Sequence, residues 1–78
     1  MKQNTTKLKK SVSKLVKEFR RIRKSKGMSY QDVADVTGLH RTTIGLIERE
    51  KRVPTILTCL KISGALEIAL YDLIKKVE

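Results

Sequence analysis

The chain has 78 residues but only one cysteine, one proline and one histidine. A lone cysteine closes no intramolecular disulfide, and no Cys/His cluster carries zinc-ligand spacing, so no metal is expected. No apolar run exceeds four residues, as at Ile68-Ala69-Leu70-Tyr71. That is far below the roughly 20 needed to cross a bilayer, and no secretory core is present, so the expected address is the cytoplasm with no membrane contact. Alternating apolar–polar runs between turn pairs are missing, which argues against strands. There is no Gly-rich phosphate loop and no paired carboxylate set. An enzyme, a cofactor and a small-molecule substrate are therefore not expected. Acid is nearly absent from the first third: residues 1–26 hold eleven Lys and Arg against Glu18 alone.

Residues 27–78 hold seven bases and seven acids, so the whole formal charge of +10 lies in the first third. Such a block reads either as a solvated, self-repelling tail or as an arm and helix that seek phosphate. The apolar fraction of 40% suffices for a core. A chain this short buries only about 60% of its unfolded surface, so it needs tight packing or a partner subunit.

Helical periodicity dominates. Leu8, Val12, Leu15, Phe19 and Ile22 recur at alternating intervals of four and three, ending at Gly27, which suits a left-handed stop. This first helix is expected from about Ser11 or a few residues earlier, with residues 1–10 a flexible basic arm and 11–78 the folded domain. Ser29 and Asp32 have capping-box spacing for a second helix that Gly38 ends. A third helix is expected from Arg41 to Arg49, and Pro54 marks the next boundary. Thr55 caps a fourth helix that buries Ile56, Cys59, Ile62, Ser63 and Leu66. A fifth carries Leu70, Leu73, Ile74 and Val77 on one side. Cys59 is expected as an inert buried thiol. The fold class is all-α, a compact five-helix bundle.

Tyr30 to Ile47 is the informative stretch. Ala34 is small where two steeply crossing helices must touch. Gly38 supplies positive φ in the turn Gly38-Leu39-His40, and Leu39, Ile44 and Ile47 lock the second helix onto the first. Once Ile44 and Ile47 face inward, Arg41, Thr42, Thr43 and Leu46 are left to face outward. His40, just before that helix, reads as a cap or a phosphate neighbour rather than a metal ligand.

These residues, with Ile47-Glu48-Arg49 and Pro54, resemble the Xre/Cro-repressor type of helix-turn-helix, a lambda-repressor-like DNA-binding fold. Gly38-Leu39-His40-Arg41-Thr42 and the segment from Leu57 to Ile68 look most like restriction–modification controller proteins. The resemblance implies a homodimeric transcription regulator on a near-palindromic DNA operator. It places Arg41, Thr42, Thr43 and Leu46 at base edges or adjacent phosphates, and Arg49, Lys51 and Arg52 at phosphates. It makes Arg23 and Glu48 a structural ion pair between the first and third helices. The family usually has Gln at Tyr30, so either the Tyr30 hydroxyl or Gln31 is expected to meet the phosphate there. Glu50 stands where Gly is usual, which suggests a longer third helix. Gly45 stands where a small polar residue is common. The fourth and fifth helices make the family's two-fold interface, which implies Leu57, Leu60, Leu70 and Ile74 here. Leu57 or Leu60 packing beneath Leu8 and Val12 is the alternative. A phage-type repressor, or an antitoxin whose main partner is another protein, shares the scaffold.

Overall fold

The computed structural model describes residues 5–78. Five helices follow in order: α1 Thr5–Ser25, α2 Tyr30–Thr37, α3 Arg41–Glu48, α4 Ile56–Ala65 and α5 Leu70–Val77. All are α-helical, and no strand occurs among the described residues. α1 corrects the expected boundary. Residues 5–10, assigned to a flexible arm, continue the helix, whereas Met1–Asn4 lie outside the described residues.

The core-facing line of α1 is Val16, Phe19 and Ile22. Leu8 and Val12 do not join it. They remain 51% and 38% exposed and line an open apolar groove with Val53 and Pro54, so neither covers Leu57 or Leu60. Phe19 meets Val33 and Ala34 of α2, Ile44 and Ile47 of α3, and Ile62 and Leu66 of α4 in one cluster that Leu73 of α5 completes. Removing a side chain such as Phe19 to Ala would cost about 3–5 kcal/mol in transfer energy and cavity. Cys59 is buried there, and burial raises its thiol pKa above the ordinary range.

Two further expectations fail for physical reasons. Ile56 is 66% exposed, because the first helical residue leans back over the N-cap instead of onto the core. Leu70 is buried within its own subunit, packed in the same cluster as Leu66 and Leu73, and is not available to a second chain. Ile74 is half-buried against that cluster.

The helices stop by one device used three times. After α1, the Met28 amide donates to Arg23 O at 3.1 Å across Gly27, whose φ is 68°. After α3, the Lys51 amide reaches Leu46 O at 2.8 Å across Glu50, φ 60°. After α4, the Ile68 amide reaches Ser63 O at 3.0 Å across Glu67, φ 59°. Each is a left-handed cap with the six-to-one bond of a Schellman motif. Glu50 therefore does not prolong α3. It takes the left-handed conformation a glycine would take, with a steric cost that glycine avoids.

Candidate nucleic-acid interface

The α2–α3 unit is held at every terminus. The Asp32 amide donates to Ser29 Oγ at 3.0 Å and the Ser29 amide donates to Asp32 Oδ2 at 2.7 Å, which completes the capping box. The backbone bond from Ser29 keeps the Asp32 carboxyl below its ordinary pKa. At the other end Gly38, at φ 76°, donates to Ala34 O at 2.9 Å. The Thr37 hydroxyl donates to Val33 O and accepts from the Leu39 amide, so the turn is tied on both sides. His40 is the N-cap of α3: its Nδ1 accepts from the Thr42 amide at 3.2 Å. That nitrogen must be unprotonated to accept.

Thus anchored, α3 buries Ile44, Ile47 and Glu48 and leaves Arg41 and Thr42 exposed. An open groove of about 590 Å³ between α2 and α3 brings together Tyr30, Gln31, Arg41, Thr42 and Arg49. Half the residues read from the sequence as DNA contacts thus meet at one place. The others stand apart from it. Thr43 and Leu46 are half-buried on α3, His40 caps it, and Lys51 and Arg52 are exposed beyond its end. Arg52 lines a different groove, with Lys9 and Val53. Gln31 is engaged along its own helix, its Nε2 donating to Asp35 Oδ1 at 2.8 Å. Arg49 folds back, its Nε donating to Gly45 O at 3.1 Å.

Behind the groove, Arg23 and Glu48 form a bidentate pair. Nε donates to Oε2 at 2.7 Å and Nη2 to Oε1 at 2.9 Å, while Nη1 donates to Met28 O at 2.7 Å. The Glu48 hydrogen bonds raise the Arg23 pKa above its ordinary value against the opposing effect of burial. No buried side-chain polar atom among the described residues lacks a partner. The pair is therefore compensated, and removing one member would strand the other at about 3–5 kcal/mol.

Tyr30 has a role that sequence reading missed. Its ring lies 4.5 Å from the Arg23 guanidinium carbon, a cation–π arrangement over the buried ion pair. Its edge fills the space beside Gly45, where an added Cβ would stand 3.2 Å from Cε2. The departures at positions 30 and 45 are thus two halves of one packing solution. The signal was present in the sequence as two unexplained departures from one pattern.

A five-helix bundle with a short, rigidly capped helix displayed beside a groove defines a class: a helix-turn-helix DNA-binding transcription regulator. The helix-turn-helix family model HTH_3 matches residues 19–73, and the chain belongs to this Xre-like family. It is also similar to control protein C.SmaI of Serratia marcescens, with 32% identity over 62 residues, 80% of this chain and 74% of that protein. No solved structure matches it. Membership places the chain among DNA-binding regulators and not among enzymes. Among the described residues, no helix is long and apolar enough to cross a membrane.

Proposed function

We propose that the protein is a homodimeric, sequence-specific regulator that binds a near-palindromic operator and controls restriction–modification genes. The observation that carries this reading is the exposed outer side of α3 beside the groove of Tyr30, Arg41 and Thr42. In it Arg41, Thr42, Thr43 and Leu46 face base edges, and His40, Arg49, Lys51 and Arg52 face phosphates with Tyr30 or Gln31. Residues 11–78 carry both the DNA face and the pairing surface. Likeness to a control protein supports the choice of regulated genes.

For pairing, Leu57 and Leu60 of α4 are 59% and 53% exposed, with Ile56 beside them. Three large apolar side chains on the first turns of one short helix form a self-complementary patch suited to a two-fold contact. Ile74 contributes what it leaves uncovered, and Leu70 does not take part.

Two substitutions test the DNA face. Arg41→Ala removes a two-donor side chain and should relax discrimination at one base pair per half-site by about 1–3 kcal/mol. Lys51→Ala should weaken all sequences alike and reduce the salt slope by about one. Equal weakening of specific and random duplexes by both variants contradicts the assignment of α3 to base reading.

A further inference from the structure

α1 carries a row of cations that neither the core nor the DNA face uses. Lys10, Lys14, Lys17, Arg21 and Lys24 follow at intervals of four, three, four and three, and all are exposed. At about 100° per residue they share one side of the helix, and from Lys10 to Lys24 that side is roughly 21 Å long. The direction of this row is set by Arg23, which reaches Glu48 on α3. The row points roughly 100–180° round the helix from Arg23. Phe19 of α1 and Ile44 and Ile47 of α3 share the core between the two helices. Hence the row leaves α1 on a side turned away from its contact with α3, and none of its residues lines the groove of Tyr30, Arg41 and Thr42.

Glu18 is the one acid in residues 1–26. It is held by Arg21, with Nε and Nη2 donating at 3.1 Å, and by Lys76 Nζ at 2.7 Å. Lys10, Lys14, Lys17 and Lys24 make no ion pair among the described residues. Like charges three and four apart repel along a helix, so the row opposes folding unless something anionic neutralises it. A bilayer surface is a poor match, because membrane-surface helices insert an apolar face. Here most of that face, Val16, Phe19 and Ile22, is buried in the protein's own core, and its exposed end, Leu8 and Val12, borders the groove with Val53 and Pro54. What remains is recognition by charge alone along an extended line, the chemistry of a nucleic-acid phosphate backbone.

We propose that the outward side of α1 is a second, sequence-indifferent DNA surface that holds a second duplex while α3 occupies the first. It rests on the DNA-binding reading of α3 only for the identity of the first duplex. The protein would then tether two segments of DNA.

The test uses the full chain and two variants, Lys14→Gln/Lys17→Gln/Lys24→Gln and Arg41→Ala/Lys51→Ala. Gln matches Lys in helix propensity and relieves repulsion, so the first variant should melt no lower than the parent protein. Protein bound to an immobilised duplex is offered a second, fluorescent duplex of unrelated sequence. The parent protein should capture it, with a steep salt dependence. The α1 variant should capture at least tenfold less and still bind the first duplex, and its salt slope for capture should fall by up to about 3. The α3 variant should lose sequence preference yet keep salt-dependent binding to random duplex, so the two assignments fail separately. No capture by the parent protein, or undiminished capture by the α1 variant, overturns the proposal. So does lysine-dependent binding to phosphatidylserine vesicles or polyglutamate without capture of duplex.

Discussion

Tyr30 and Gly45 show how much a single contact decides. Helix propensity alone says that Gly45→Ala should stabilise α3 by about 1 kcal/mol. The added methyl, however, would press on the Tyr30 ring at 3.2 Å, and that ring rests on Arg23. Gly45→Ala should therefore gain little or lose stability in the parent protein. In a Tyr30→Gln background it should gain close to the full propensity term. A double-mutant cycle followed by urea denaturation reads this coupling directly; additive effects would mean the ring moves aside freely. The pairing of Arg23 with Glu48 was legible in the sequence because both fall on family positions. The third Arg23 bond, to Met28 O, was not, because a carbonyl acceptor leaves no mark in side-chain identities.

At the scale of the helix, the endings carry the lesson. Ser29 with Asp32, Gly38 and Thr55 announced their roles, because a cap needs a particular side-chain oxygen or a missing Cβ. Glu67 gave no such notice, since glutamate has no preference for a left-handed conformation, and at Glu50 the only sign was that the family usually has Gly there. Glu50→Gly should consequently raise stability: relief of the roughly 1–2 kcal/mol left-handed cost exceeds the extra chain entropy of glycine, about 0.4–1 kcal/mol. A rise of the thermal midpoint is the expected outcome, and a fall would mean the Glu50 side chain contributes more than its backbone costs. Periodicity located all five helices but misjudged which apolar side chains are covered. Leu8, Val12 and Ile56 share spacing with buried residues, yet stand beyond or before the stretch where their helices meet the core. Leu70 erred the other way, because spacing does not tell a subunit's own core from an exchange surface.

For the whole molecule, α1 and α5 are tied near their solvent side by Glu18. Its hydrogen bonds from Arg21, then Lys76, hold the carboxyl at about 2 instead of 4.5. The folded state therefore binds this proton less readily than the unfolded chain. The stabilisation is complete above pH 4.5 and is lost as pH falls from there toward about 2. Thermal midpoints across that window should drop less steeply for Glu18→Gln than for the parent protein. A residual slope should remain from Asp32, whose carboxyl is also depressed. Identical slopes would show that neither the Arg21 nor the Lys76 contact with Glu18 persists in solution.

The proposed function requires α3 to meet DNA once per subunit of a symmetric pair. Selection of bound duplexes from a random pool by the full chain reads it most directly. Two inverted half-sites should emerge, centred one helical turn apart, roughly 34–36 Å. A pool that stays random, or yields one half-site with no inverted partner, would contradict the account.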